Sequence, residues 1–369
     1  MKKNKLMIMV GTRPEIIRLS AVIKNAEPFF EVVLVHTGQN YDHQLSEVFF
    51  EEFELKKPDY YLNTPGKNLG ETVGNIISKT YDVMVKEKPA ALLILGDTNS
   101  CLSAYSAKRL KIPIFHMEAG NRCFDFNVPE EINRRLVDHI SDINLAYTEN
   151  ARNYLINEGM KNDSVFVTGS PMVEVIKNNL DKIKKSKVLK ELNLKKEQYI
   201  VVSAHREENI DIDNNFEKLI ETINLVATEY KKPIIFSTHP RTMNRIKEKN
   251  IKFNSLVKNI EPFGFFDYLQ LQQNSFCVLS DSGTLAEEAA ILSFPGISLR
   301  TSTERPEALD AGAFVLGGID SDNILSAINI ATGSMMEFSH VKDYQDDDVS
   351  KKVIKIIQSY FNIVNKRTW

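Results

Sequence analysis

Short apolar, mostly β-branched runs alternate with longer amphipathic stretches along the whole chain, and this rhythm limits the fold more than any other feature. Strand candidates are KLMIMV (5–10), EVVLVHT (31–37), ALLILG (91–96), IPIFH (112–116), INLAYT (143–148) and VFVTG (165–169). A second series follows with YIVVSA (199–204), PIIFSTH (233–239), FCVLSD (276–281) and PGISLR (295–300). The runs are continuously apolar and do not alternate with polar residues, which suits parallel strands covered on both faces. Helical patterns such as SCLSAYSAKRL (100–110) and ETINLVATEYK (221–231) lie between them. Parallel strands joined by helices make βαβ units. The expected class is therefore α/β, with two Rossmann-like domains built on open parallel sheets.

A length of 369 residues exceeds what one ordinary core organises and fits two domains. The lysine-rich stretch from Asn178 to Lys196 reads as a solvated helix and linker between the two series. The expected division is 1–175, 176–348, and a C-terminal helix over 349–369 that can pack back on the first domain. Hydrophobic content of 43% with 26% charged residues is globular. Lys and Arg number 46 against 49 Asp and Glu, a net charge of −3. No basic excess drives nonspecific nucleic-acid binding, so a phosphate ligand must be held by local groups. Cys101, Cys123 and Cys277 are far apart and lack CxxC spacing, which argues for a reducing compartment and against a disulfide scaffold or zinc site. The apolar run Leu6 to Val10 is too short for a signal peptide. No stretch approaches the roughly 20 apolar residues of a membrane span. The expected location is cytoplasmic.

In doubly wound sheets, ligands sit beyond the C-terminal strand ends, and the unusual polar clusters occur there. After the first strand comes Gly11-Thr12-Arg13-Pro14-Glu15-Ile16-Ile17-Arg18, with a turn glycine, a helix-starting proline and two arginines able to reach phosphate. Gly96-Asp97-Thr98 and His116-Met117-Glu118-Ala119-Gly120-Asn121-Arg122 follow later strands. Asp97 alone could serve as a helix cap, whereas a carboxylate such as Glu118 among small residues does not suit packing. Pro129-Glu130-Glu131-Ile132-Asn133-Arg134-Arg135 is good helix-start chemistry, and Glu130 with Arg134 could form an ordinary surface pair. In the second half, Ala204-His205-Arg206 and Thr238-His239-Pro240-Arg241 each place a histidine and an arginine after a strand, favouring an anionic ligand. Ser280-Asp281-Ser282-Gly283-Thr284-Leu285-Ala286-Glu287-Glu288 reads as strand, small-residue turn and helix. Its free N–H groups and hydroxyls make a phosphate cradle, with Glu288 placed to meet a ribose diol. Thr303-Glu304-Arg305-Pro306-Glu307 adds a cation. The chain has no GxGxxG, GxxxxGK[ST], HExxH or GxSxG, which argues against a tightly held dinucleotide and against P-loop, zincin and hydrolase readings.

GTRPE, GQN at 38–40, GDT, HMEAG, PEEINR, the histidine after VVSA, SDSGT and STERPE occur in one order over almost the whole chain. This pattern closely resembles the non-hydrolysing bacterial UDP-N-acetylglucosamine 2-epimerases, relatives of the two-domain glycosyltransferases. The resemblance implies a glycosyltransferase-B-like fold with the active site in the cleft between domains, a homodimer, a UDP-sugar substrate, and no metal or other cofactor. It implies that Arg13 binds the nucleotide diphosphate; Arg18, counted with the UDP-binding residues, stands where the family usually has lysine. Asp97, Glu118 and Glu130, with Arg134 beside them, match the acids placed around the sugar, and His205 matches the histidine at the phosphates. Ser282, Gly283, Thr284 and Glu288 match the UDP site, Arg305 matches the TERPE arginine, and Phe263 and Tyr268 fall where the family encloses uracil. Common members read EAGLR, GHRRE and DSGG where this chain has EAGNR, AHREE and DSGT. The wording GNRCFD and AHREENID is closer to the capsule and O-antigen branch, which leaves two substrate readings open. One is UDP-N-acetylglucosamine; the other is UDP-2-acetamido-2,6-dideoxy-L-talose, inverted to UDP-N-acetyl-L-fucosamine.

C2 of such a sugar is not alpha to a carbonyl, so its proton is too weakly acidic for direct removal. Oxidation at C3 would need a nicotinamide. The alternative eliminates UDP to a 2-acetamidoglycal and adds it back on the opposite face. That route needs a base near C2, a proton donor on the other face and a site that stabilises the departing diphosphate. A glycosyltransferase of the same architecture is the main rival reading, and a silent UDP-sugar sensor a more distant one.

Overall fold

The computed structural model describes residues 3–38, 43–333 and 340–368; Gln39 and Asn40 of the GQN motif lie outside the described residues. The chain divides into two units. One comprises Met1–Asn178 with Gln345–Trp369, the other Asn179–Tyr344.

The first unit is built on β1 (Lys5–Val10), β2 (Glu31–His36), β3 (Tyr60–Tyr61), β4 (Ala91–Leu95), β5 (Ile114–Met117), β6 (Ile143–Ala146) and β7 (Val165–Val167). Their order across the sheet is β3-β2-β1-β4-β5-β6-β7, with every pairing parallel. β1 lies in register from Lys5 opposite Glu31 to Val10 opposite His36, and is bounded on its other side by Leu6 opposite Ala91. Leu6, Met7, Ile8, Met9 and Val10 are all buried, as continuous apolar composition requires of a strand with helices on both faces. β5 starts at Ile114 rather than Ile112, because Pro113 between them has no N–H for the ladder. Helix Val349–Thr368 packs on helices Arg13–Ala26 and Pro171–Asn178. The buried Glu174 carboxylate fixes its start by accepting from the backbone N–H (2.7 Å) and hydroxyl (2.5 Å) of Ser350.

The second unit contains β8 (Ile200–Ser203), β9 (Ile234–Ser237), β10 (Val257–Ile260), β11 (Cys277–Ser280), β12 (Gly296–Ser298) and β13 (Val315–Leu316), again all parallel, in the order β10-β9-β8-β11-β12-β13. Its core packs Phe216, Ile220 and Ile223 of helix Asp213–Tyr230 on Ile200, Val202 and Phe236 of the sheet. The lysine-rich stretch folds into two short helices, Leu180–Lys185 and Val188–Glu191.

Three strands lie outside the apolar runs of the sequence. β3 and β13 are only two residues long, and β10 is an edge strand whose VKNI mixes polar with apolar residues because it is not fully covered. In both sheets the strand order reverses once, between β1 and β4 and between β8 and β11. At such a reversal the loops leaving two adjacent strands run in opposite directions and open a crevice at their C-terminal ends.

Candidate active site

The first crevice is bounded by the turns after β1 and β4. Pro14 opens helix Arg13–Ala26, and Glu15 folds back to accept from the backbone N–H groups of Gly11 (2.6 Å) and Thr12 (2.7 Å). Its other oxygen accepts from the Thr98 hydroxyl at 2.8 Å and from the Ser100 hydroxyl, so one carboxylate joins the two turns. Glu15 is 1% exposed; burial raises its pKa against the lowering effect of these hydrogen bonds. Arg13 is exposed at the helix start, its guanidinium 5.7 Å from the Phe49 ring.

Asp97 is held from the side by helix Pro129–Ile140. Arg134 donates to its Oδ2 from Nε (3.0 Å) and Nη2 (2.6 Å), while the Asn133 amide donates to its backbone carbonyl (2.9 Å). Arg134 also donates to Glu131 at 3.1 Å. The Glu130–Arg134 surface pair open from sequence is thus replaced by inward contacts to Asp97 and Glu131, since Arg134 is 3% exposed and faces the turn. Glu130 is half-buried at the second position of the helix.

Glu118, 8% exposed, adopts φ +63° in the loop after β5. That left-handed conformation is costly for a residue with a side chain and persists only when its surroundings enforce it. Here Asp138, wholly buried, accepts from Arg122 (2.7 Å) and the Gly120 N–H (3.2 Å), with His116 Nδ1 2.9 Å from its other oxygen, pinning the loop on both sides of Glu118. The Glu118 carboxylate accepts from Arg18 Nη1 and, at 3.3 Å, from the Asn121 amide. A Cβ on Gly96 (φ +71°) would come within 3.4 Å of Glu118 Oε2, so this turn lies directly against the carboxylate. Arg18, grouped with the phosphate ligands from sequence, is placed by the structure on this acid.

The second crevice is bounded by the turns after β8 and β11. Asp281 is wholly buried and accepts from the His205 backbone N–H (3.0 Å), the Arg206 N–H (3.0 Å) and the Asn209 amide (3.0 Å), with His205 Nδ1 at 3.1 Å. Burial alone would raise its pKa, but the neighbouring His205 charge and these donors outweigh it and bring it down to about 2. His205 is thereby fixed at Nδ1, its ring centroid 6.0 Å from that of the exposed His239. The Ser282 and Thr284 hydroxyls lie 3.0 Å apart at the start of helix Leu285–Leu292. Gly283 lies in close approach to Glu304: a Cβ there would meet Oε1 at 2.4 Å, so that the end of the side chain would have to shift. Glu304 is itself held by Arg300 at 2.7 Å.

Glu288, 5% exposed, accepts from the buried Gln272 amide at 2.7 Å, which brings helix Phe265–Gln273 alongside it. Tyr268 lies on that helix and Phe263 two residues before its start, both half-buried. Arg305 is 1% exposed and paired with the fully buried Glu287 at 3.3 Å. Burial raises the Glu307 pKa despite the nearby Arg305 charge and the Tyr344 hydroxyl hydrogen bond. Sequence reading passed over Asp281, Glu304, Glu15 and Glu131 as site-building groups. Each lies inside one of the motifs; Glu15 and Asp281 act through partners remote in sequence, whereas Glu131 pairs with Arg134 and Arg135 and Glu304 with Arg300 close by. Among the described residues no cluster of three or more His, Cys, Asp or Glu is arranged to hold a metal ion, and no helix is long and apolar enough to cross a membrane.

The family model described as UDP-N-acetylglucosamine 2-epimerase matches residues 23–358. The chain belongs to this family. The epimerase resembles the UDP-N-acetylglucosamine 2-epimerase structure from Rickettsia bellii, at 44% identity and TM-score 0.92 over 100% of this chain and 99% of that one. It also resembles the Methanocaldococcus jannaschii UDP-GlcNAc 2-epimerase in complex with UDP-GlcNAc and UDP, at 38% identity and TM-score 0.91 over 96% and 99% of the two chains. A Pseudomonas aeruginosa relative, UDP-2,3-diacetamido-2,3-dideoxy-D-glucuronate 2-epimerase, is 33% identical over 90% of this chain and 94% of its own. The epimerase thus shares its two parallel-sheet architecture with nucleotide-sugar 2-epimerases across bacteria and archaea.

Proposed function

We propose that this epimerase inverts C2 of a UDP-linked 2-acetamido sugar by eliminating UDP and adding it back, with no nicotinamide or metal. The observation that carries the reading is the pair of crevices: Asp97 and Glu118 border one, with Glu130 on the helix that holds Asp97, and the His205 and Ser282–Thr284 turns border the other. The first has the acids for proton transfer at C2, and the second has the donors for a diphosphate. One carboxylate removes the C2 proton. The C–H electron pair becomes the C1=C2 double bond, and the C1–O pair leaves on UDP. A carboxylic acid then protonates C2 from the other face as a β-phosphate oxygen rebuilds the C1–O bond. His205, with Arg13 and the Ser282–Thr284 turn, stabilises the diphosphate while it is detached; Glu288 holds the ribose, Phe263 and Tyr268 flank the uracil, and Arg305 and His239 complete the cationic surroundings.

The substrate is UDP-N-acetylglucosamine or its 6-deoxy-L-talo counterpart. Family membership favours the first, and the EAGNR and AHREE wording favours the second. The acting form is a cytoplasmic homodimer, as membership of the family implies. Incubation with each UDP-sugar alone, followed by product analysis, tests the reading. One of them should reach an equilibrium mixture of C2 epimers. UDP release that requires an added acceptor would identify a glycosyltransferase instead.

A further inference from the structure

Two of the acids in the first crevice have a guanidinium partner, and the partner of Glu118 comes from an element 100 residues away in sequence. The Arg18 and Glu118 side chains are 7% and 9% exposed. A carboxylate this dry would be driven toward its neutral form by desolvation, and a neutral acid cannot accept the C2 proton. A guanidinium in direct contact reverses that preference and stays charged at any working pH. The other charged groups around the turn are already engaged. Asp97 is held by Arg134, Glu15 by the Gly11 and Thr12 amides with Thr98 and Ser100, and His116 by Asp138 and the Gly96 carbonyl.

We infer that Arg18 is a positioning residue that keeps Glu118 ionised and aimed into the crevice, which makes Glu118 the group that accepts the C2 proton. This rests on the elimination reading and departs from the phosphate-binding role that the GTRPE motif suggests for Arg18. The two roles separate experimentally. A phosphate ligand, once removed, weakens UDP binding and leaves the ionisation of Glu118 alone. A charge partner, once removed, leaves UDP binding nearly intact and raises the pH at which Glu118 ionises by at least about one unit.

Arg18→Gln and Arg18→Lys are compared with the unmodified enzyme by infrared titration of the protonated-carboxyl band, assigned to Glu118 through its loss on Glu118→Gln. UDP affinity by calorimetry and the pH profile of kcat are measured alongside. At the pH where the unmodified enzyme and Arg18→Lys have just lost the Glu118 carboxyl band, Arg18→Gln should still show it. The acidic limb of kcat should move up by about a unit or more in Arg18→Gln and hold in Arg18→Lys, with UDP affinity within about twofold throughout. An unchanged band and limb with UDP affinity about tenfold weaker would overturn the inference. Because the infrared band needs no turnover, an enzyme inert toward every UDP-2-acetamido sugar refutes the proposed function separately. If Arg18→Gln does not fold, Arg18→Lys still decides: a raised Glu118 ionisation in a variant that keeps the charge would contradict the inference.

Discussion

Replacing Gly283 with alanine tests whether the Ser282–Thr284 turn, proposed to hold the diphosphate, is built around Glu304. The new Cβ would stand 2.4 Å from Glu304 Oε1, and ordinary contact begins at 3.4 Å, so one of the two must retreat by the difference, 1.0 Å. Glu304 is 8% exposed and tied to Arg300 at 2.7 Å, with Arg206 at 3.9 Å. Displacing Oε1 that far also disturbs Oε2, which accepts from Arg300 Nη1 at 2.7 Å, and weakens that bond. A charge-assisted hydrogen bond of this kind contributes roughly 1.5–3 kcal/mol. If the turn retreats instead, the Ser282 and Thr284 groups leave their positions and the loss falls on the ligand. UDP affinity should then drop by about tenfold or more, the equivalent of roughly 1.4 kcal/mol. The discriminating assay is a calorimetric cycle of Gly283→Ala, Glu304→Ala and the double variant. With Glu304 truncated the obstruction is gone, so adding Gly283→Ala should cost only a few tenths of a kcal/mol, leaving a coupling of at least about 1 kcal/mol. Equal losses in both backgrounds would refute the steric account.

Glu118→Gln and Glu130→Gln should each abolish turnover while UDP still binds by calorimetry; near-normal rates in both would remove them from the chemistry. Glu288→Ala should weaken UDP several-fold and leave the buried Gln272 amide without its carboxylate, and unchanged affinity would make Glu288 an ordinary helix residue. Asp281→Asn should destabilise the protein at neutral pH by about 2 kcal/mol, from the fall of its pKa from 3.8 to about 2. A depressed carboxylate stabilises the fold above its unfolded pKa and ceases to do so as pH falls through the folded one. The gap between Asp281→Asn and the parent in urea unfolding should therefore be full at pH 7 and narrow from about pH 4 toward pH 2; a gap independent of pH would contradict the ion-pair account.

The buried strands were legible because two-sided burial demands continuous apolar runs: KLMIMV becomes β1 residue for residue. The edge strands were not, since β3 and β13 need only two residues and β10 tolerates Lys258 and Asn259 on a partly open flank. The same division holds at the site. Asp97, Glu118 and Ser282 could be singled out because each follows a strand that the sequence displays. Their partners depend on which strands are neighbours, which composition does not encode. Arg18 reaches Glu118 across β1 and β4, and Asp281 reaches His205 only because β8 and β11 are adjacent. Glu118 adds a second reason: its positive φ is imposed by the buried Asp138 anchor, and nothing local in EAGNR announces it.

The hydrogen at C2 tests the central claim most directly. In deuterated water, with UDP-sugar alone and without acceptor, nicotinamide or divalent metal, the epimerised product should carry deuterium at C2, because the proton is taken by one group and returned by another that exchanges with solvent. Long incubation should also accumulate free UDP and a 2-acetamidoglycal as the intermediate occasionally escapes. An inverted product that retains its original hydrogen at C2 would contradict elimination and re-addition.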